Sequence, residues 1–247
     1  AFGQFPAHQR LAHGLAQLDA EYEQADLIVT PSEFARRTFL QAGVPTSKVE
    51  VLPLGCDLRF FRPDLAPAPD GKFRVITVAY AGPGKGYPYL FDAWRQLDLP
   101  DSELLVVGAD PNGYLRRPGT LPPRTRWLPY VPHRELGPLY ASADAFVLPS
   151  VCDSWGMVVT EAMASGCPVI VTENTGSSQI VGKDEGFVVP PRDARALAAA
   201  IRRLHDDPAR AADMGRRAHE RARTQTWDAY GDQLVGLYHR LFQDGRA

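Results

Sequence analysis

Lysine is scarce in this 247-residue sequence, cysteine scarcer still, and no charge of one sign prevails. Lysine occurs only as Lys48, Lys72, Lys85 and Lys183, so the 27 basic residues are almost all arginine and a lysine inside a glycine-rich turn stands out. With 29 acidic residues the formal net charge is -2, which excludes a global field drawing the chain onto nucleic acid or an anionic membrane. Any anionic ligand has to be held locally. The three cysteines, Cys56, Cys152 and Cys167, are an odd number without a CxxC pair. That argues against a disulfide framework and a zinc site, and for a reducing compartment. The longest apolar runs are strand-sized, far below the roughly 20 residues of a membrane span, and no charged stretch ahead of an apolar one marks a signal peptide. The expected location is cytoplasmic, with peripheral membrane contact at most. The sequence opens at Ala1, without Met, inside a polar helical pattern, and so reads as a processed product or a piece of a longer protein.

What is present is average for a globular protein, 45% hydrophobic and 23% charged. Short apolar runs alternate with amphipathic stretches. Asp26–Thr30, Val49–Leu54, Arg74–Tyr80, Glu103–Gly108, Trp127–Val131, Ala145–Pro149, Pro168–Thr172 and Gly186–Val189 read as strands. Continuous runs such as Leu104-Leu105-Val106-Val107 suit strands covered on both faces, so the expected fold is α/β, a Rossmann-like doubly wound parallel sheet. Pro31-Ser32-Glu33 opens a helix that ends near Ala42-Gly43, Asp193 opens Ala194–Leu204, and Gly166 with Pro168 closes a helix begun near Gly156. Gly55 to Lys72 has no period and contains Pro63, Pro67 and Pro69, which predicts an extended linker with a break near residue 65. Before it lies one strand-helix-strand piece, too small for a Rossmann half.

The chemistry concentrates in residues 148–170. A buried strand ends at Pro149, a polar loop carries Asp153, and a helix begins near Gly156. Asp153 and the first free helical amides then meet at the carboxyl edge of the sheet, where open α/β sheets bind ligands and a helix N-terminus favours anions. Glu161 lies further along the same helix among Met, Val, Thr and Ala, where a carboxylate is expensive unless hydrogen-bonded. Two vicinal hydroxyls, as in a ribose, would satisfy it; the plainer alternative pairs it with a neighbouring Arg and makes Asp153 an N-cap. Lys85 is flanked by Gly82, Gly84 and Gly86, which let backbone approach a phosphate closely or simply make a turn. His8, His13, His133, His205, His219 and His239 show no ligand spacing, and only His133, after Pro132, falls near the nucleotide side.

The Asp153-x7-Glu161 unit, followed by Ala-Met-Ala-Ser-Gly-Cys-Pro-Val-Ile, resembles the E-x7-E signature of retaining glycosyltransferase family 4. Asp26–Ser32, Val49–Asp57, Lys85-Gly86, Leu104–Gly108, Tyr130–Ser150, Gly186–Pro191 and Thr226-Trp227 resemble further segments of that family, in the same order. The resemblance implies a GT-B fold of two facing Rossmann-like domains. Residues 1–64 would be the remnant of the N-terminal acceptor domain with the linker, 65–225 the nucleotide-sugar-binding domain, and 226–247 a helix crossing back. It implies transfer of a hexose with retention, from a nucleotide diphosphate sugar to a carbohydrate or lipid-linked acceptor, without an obligatory metal or other cofactor. The partners implied are that donor, that acceptor and the missing N-terminal domain, and no nucleic acid. By resemblance, Glu161 holds the ribose hydroxyls, Asp153 the donor sugar and Lys85 the diphosphate. Gly82, Gly84, Gly86, Ser154, Trp155, Gly156, Met157 and Val158 line the donor, with Gly108, Val131 and His133 on the nucleotide side.

Three departures mark the sequence. Asp153 stands where the family usually has Glu, Tyr80 where it commonly has an Arg beside the phosphates, and Thr175–Gln179 in place of a Gly-Gly-x-x-Glu turn. The alternative of another class is a nucleotide-sugar-binding module without turnover. An epimerase of the same architecture would need acid–base residues that do not stand out. Arg202, Arg203, Arg216, Arg217, Arg221 and Arg223 read as a solvated face, with anionic lipid as the lesser option.

Overall fold

A computed structural model describes residues 17–67 and 70–243, so His8, His13 and Pro69 lie outside the described residues, as does most of the polar N-terminal pattern. The eight strands expected from the apolar runs are present: β1 Ile28–Thr30, β2 Val49–Val51, β3 Phe73–Val78, β4 Ser102–Val107, β5 Thr125–Leu128, β6 Ala145–Leu148, β7 Val169–Thr172 and β8 Gly186–Val189. β1 and β2 form a separate parallel pair. The other six make one sheet in the order β5-β4-β3-β6-β7-β8, with every pairing parallel. This is the doubly wound arrangement, in which the chain reverses its lateral direction between β3 and β6.

Among the described residues, 17–24 are helical, and the helices that follow are α1 Glu33–Gln41, α2 Tyr87–Leu97, α3 Leu136–Ala141, α4 Met157–Ala164, α5 Ala194–Asp206, α6 Pro208–Ala222 and α7 Trp227–Gln243. Their starts follow local chemistry. Ser32 Oγ accepts from the Ala35 amide, Asp193 Oδ1 from Ala196 and Asp207 Oδ1 from Arg210, each meeting an otherwise orphaned donor of a first turn. Alternate strand residues feed two cores, one on each face of the sheet. Val75, Leu104, Val106, Ala145 and Val147 pack under α2 and α5, while Ile76, Leu105, Val107, Phe146 and Leu148 pack under α3 and α4. That two-sided burial is why the strands read as continuous apolar runs rather than alternating ones.

The segment expected to be an extended linker is packed instead. Cys56 and Phe61 are buried in the second core, Pro63–Leu65 form a 3-10 turn, and the Phe61 ring stands edge-on to Tyr140 at 5.9 Å and to His133 at 5.1 Å. Leu58, Phe60 and Phe61 supply apolar area ahead of the prolines that follows no period, so the pattern hides it. The chain passes between the two sheets twice, side by side: the Cys56 amide donates to the Gln225 carbonyl at 2.8 Å, and Cys56 and Thr226 form a parallel bridge. A side chain on Gly55 would overlap the backbone of Thr226 and Trp227, so glycine permits that close passage. Beyond it, Gln233, Gly236, Leu237 and Arg240 of α7 line a cavity of about 190 Å³ together with Glu50–Leu52, which sets α7 against the β1–β2 piece.

Because Phe61 is packed as a core residue, Phe61→Ala should cost about 3–5 kcal/mol in equilibrium denaturation. A loss below 1 kcal/mol would show that this segment contributes no core.

Candidate functional site

β3 and β6 are adjacent, and the loops leaving their carboxyl ends meet above the sheet. After β3 the chain makes a 3-10 turn at Pro83–Lys85 and enters α2 through Gly86 at φ 69. A Cβ on Gly86 would overlap the Pro149 carbonyl at the end of β6, so this glycine is required both by its left-handed backbone and by the closeness of the two loops. The Val151 amide donates to the Gly84 carbonyl at 2.8 Å and ties them together.

This contact brings two sequence-predicted residues into an ion pair. Lys85 Nζ lies 2.6 Å from Asp153 Oδ2, with side-chain exposures of 20% and 11%. At that burial the pair is screened far less than a surface bridge. The N-cap of the helix at Met157–Ala164 is Gly156, and the other Asp153 oxygen, Oδ1, accepts from the Trp155 amide at 3.4 Å. The Asp153 backbone is fixed as well: its amide donates to the Asn174 carbonyl at 3.0 Å, and its carbonyl accepts from Gly176 at 2.9 Å. Tyr80 occupies the flank of Lys85, with Nζ 5.5 Å from its ring centroid, and offers a π face where the family pattern has a cation. Gly82 lies under the same ring, whereas the nearest atom to a Cβ on Gly84 would be the Cys152 carbonyl at 3.7 Å.

α4 opens at Gly156, φ 79, without a side-chain cap, so the first-turn amides of Met157 and Val158 face the edge of the sheet beside Asp153 without a capping acceptor. Further along the same helix Glu161 is 3% exposed. Its carboxylate has two partners, neither an arginine: His133 Nε2 lies 2.8 Å from Oε1, and the Tyr140 hydroxyl donates to Oε2 at 3.0 Å. Burial, followed by the Glu161 charge, pushes the Tyr140 phenol well above its ordinary value, so it remains a hydrogen-bond donor.

The structure joins Lys85 to Asp153 and His133 to Glu161, and sets Ser154, Gly156, Met157 and Val158 on the loop and helix between the two acids. Trp155 reads from the sequence either as a wall of the sugar pocket or as packing. It is 2% exposed and belongs to the core on the α3–α4 face of the sheet. Gly108 closes β4, where a Cβ would overlap the Ala79 carbonyl, and Val131 packs on the core; both stand at the same sheet edge without a hydrogen bond to Glu161 or Lys85. Arg216 and Arg217 pair with Asp213 and Glu220 on a solvated face, and Arg202 donates to the Leu97 carbonyl. Sequence reasoning missed Tyr140, and it missed the partners of Ser32 and Gln179. The Ser32 hydroxyl donates to the Ser154 carbonyl at 2.6 Å, and Gln179 Oε1 accepts from the Glu33 amide at 2.9 Å, binding the β1–α1–β2 piece to the Asp153 loop. The one available signal for Tyr140 was that a buried carboxylate needs donors and tyrosine can bring one while staying apolar.

Residues 62–221 match the family model of the glycosyl transferases group 1. The chain belongs to this family. It is 30% identical to a D-inositol 3-phosphate glycosyltransferase of Kineococcus radiotolerans across 91% of its own length and 59% of that protein's. It is 33% identical to the phosphatidyl-myo-inositol mannosyltransferase of Mycolicibacterium smegmatis, across 86% and 57%. The chain thus spans less than two thirds of these curated relatives. Among solved structures, the sucrose-phosphate synthase of Thermosynechococcus elongatus superimposes with a TM-score of 0.80 at 31% identity, covering 96% of this chain and 62% of that one. Anabaena HepE in complex with UDP and glucose superimposes with a TM-score of 0.80 over 95% and 67%, at 20% identity a likeness of fold alone. The group 1 domain accordingly has the GT-B type of α/β fold.

The three thiols are free and differ in environment. Burial, with the Glu161 and Asp57 charges, pushes the Cys56 thiol up to about 12, and burial holds the Cys167 thiol well above its ordinary value, while Cys152 is exposed in the loop before Asp153. At pH 8 a disulfide reagent should titrate one thiol in the native group 1 protein and all three after unfolding. Rapid native reaction of two or three would contradict this packing.

Proposed function

We propose that this chain is the donor-binding part of a retaining glycosyltransferase of the family 4 kind. It would transfer a hexose from a nucleotide diphosphate sugar to a carbohydrate or lipid-linked acceptor. The observation that carries the reading is the meeting of Lys85, Asp153 and the α4 amides at the point where β3 and β6 diverge, with Glu161 on the same helix. An ammonium and helix-end donors suit a diphosphate, and the two carboxylates suit hydroxyls of the sugar and of the ribose. The names of the relatives support glycosyl transfer to inositol phosphate or lipid-linked acceptors, and the UDP bound by HepE supports a nucleoside diphosphate donor.

In the proposed reaction the bond from the sugar's anomeric carbon to the β-phosphate oxygen breaks, its electron pair stays on that oxygen, and negative charge grows on the diphosphate. Lys85 and the Met157 and Val158 amides stabilise that charge more than the ground state, which is the requirement for acceleration. The acceptor hydroxyl attacks from the face the phosphate leaves, and its proton passes to the departing phosphate oxygen, so configuration is retained. Asp153 turns from Lys85 to the sugar hydroxyls as the diphosphate takes over the ammonium. Residues 1–64, 65–225 and 226–247 serve as acceptor-side piece, donor domain and crossing helix, and peripheral membrane contact would follow from a lipid-linked acceptor.

A thermal-shift panel of UDP, GDP and ADP and their sugars tests the reading. A ligand at 100 times its Kd adds about 2.7 kcal/mol, several degrees for a chain of this size. One class should stabilise the wild type and much less Glu161→Ala or Lys85→Ala. No shift with any nucleotide would remove the donor-site assignment.

A further inference from the structure

Glu161 presents an asymmetry that the donor-site reading leaves unexplained. Both carboxylate oxygens already have partners, but the partners differ in kind. Tyr140 is 0% exposed, wedged edge-on between Phe61 and Phe146 with ring centroids 5.9 and 5.8 Å away, and its hydroxyl reaches Oε2 from inside the core. It has no room to leave. His133 lies in the 3-10 turn His133–Glu135 with its side chain 59% exposed, and it meets Oε1 from the solvent side. An ionised carboxylate only accepts hydrogen bonds, so both neighbours act as donors to it.

We infer that Tyr140 is a positioning residue that fixes the inner oxygen of Glu161, and that His133 holds the outer oxygen in the place a donor ribose hydroxyl must take. The inference rests on the donor-site reading and deepens it. Without the Tyr140 hydroxyl the buried carboxylate loses its fixed donor and rotates or draws in water, and its outer oxygen is no longer aimed. The exposed imidazole screens Glu161 at small structural cost, because an exposed side chain swings out without breaking a core. Binding of the ribose then exchanges one hydrogen bond to Oε1 for another, so His133 opposes binding while Tyr140 promotes it. Two neighbours of one carboxylate therefore have opposite signs.

The test uses the full chain and whichever nucleoside diphosphate the thermal-shift panel selects, beside its 2′,3′-dideoxy counterpart, with Kd measured by calorimetry. Tyr140→Phe should weaken the ribonucleotide about three- to tenfold, the range of one hydrogen bond, and leave the dideoxy compound unchanged. His133→Ala should tighten the ribonucleotide roughly two- to fivefold and again leave the dideoxy compound unchanged. Because each variant is its own control across the two ligands, general loosening of the fold cannot imitate the result. Equal loss on both ligands in Tyr140→Phe, or no loss, would make Tyr140 structural only and overturn the positioning role. Weaker ribonucleotide binding by His133→Ala would make His133 a direct contact and overturn the displacement. Glu161→Ala separates the two levels: if it leaves ribonucleotide affinity intact the donor-site reading itself fails, whereas its loss alongside a silent Tyr140→Phe sinks this inference alone.

Discussion

The reversal between β3 and β6 is the constraint on which the rest of the molecule depends. Two adjacent parallel strands send their chains away in opposite lateral directions, so no connection covers the gap above their carboxyl ends. The loops on either side must pack against each other, and Gly86 against the Pro149 carbonyl is the contact that lets them. Lys85 and Asp153 are the side chains that this approach throws together. The uncapped start of α4 is in the same place for the same reason, because β6 has to hand over to a helix just beyond the gap.

Polar chemistry crowded into that edge leaves its mark on the packing. Buried side-chain atoms without a partner include Ser150 Oγ, Trp155 Nε1 and Ser177 Oγ, all on the segments that leave β6 and β7 at the edge of the sheet. The other such atoms among the described residues, Thr125 Oγ1, Thr160 Oγ1 and Ser165 Oγ, lie at the start of β5 and along α4 to its end. Cys56 and Cys167 are buried in the core below, with thiols that stay protonated, and Cys167 Sγ donates to the Ala143 carbonyl at 3.4 Å.

The architecture was legible in the sequence because burial on both faces leaves an uninterrupted apolar run, and Ser32 and Asp193 announce their helices with a side-chain acceptor. Register was clearest in the centre and weakest at the margin. The sheet-edge strand β5 begins at Thr125 rather than Trp127, because Thr125 and Arg126 pair with β4 through backbone and an Arg126–Glu103 ion pair and carry no apolar signal. Lys85 and Glu161 stood out as charges in glycine-rich or apolar surroundings, and Asp153 as a carboxylate just ahead of a helix start. Their partners did not, since Tyr140 reaches Glu161 from a different helix and Ser32 reaches Ser154 from 122 residues away. The aperiodic stretch from Gly55 to Lys72 concealed packing for a related reason, as its apolar residues are placed by the surface they meet and not by a repeating backbone.

The two side-by-side passages at Cys56 and Gln225 have a topological meaning. The six-stranded body enters and leaves the rest of the molecule at one spot, its two ends joined by a 2.8 Å hydrogen bond, while α7 sits with the β1–β2 piece on the other side. In connectivity the body is an insertion between two parts of its neighbour rather than a bead following it on a string. Segments whose ends coincide can be exchanged without stretching the host chain. The sheet, its reversal point and both acids thus lie on one stretch of chain whose two ends, Cys56 and Gln225, meet.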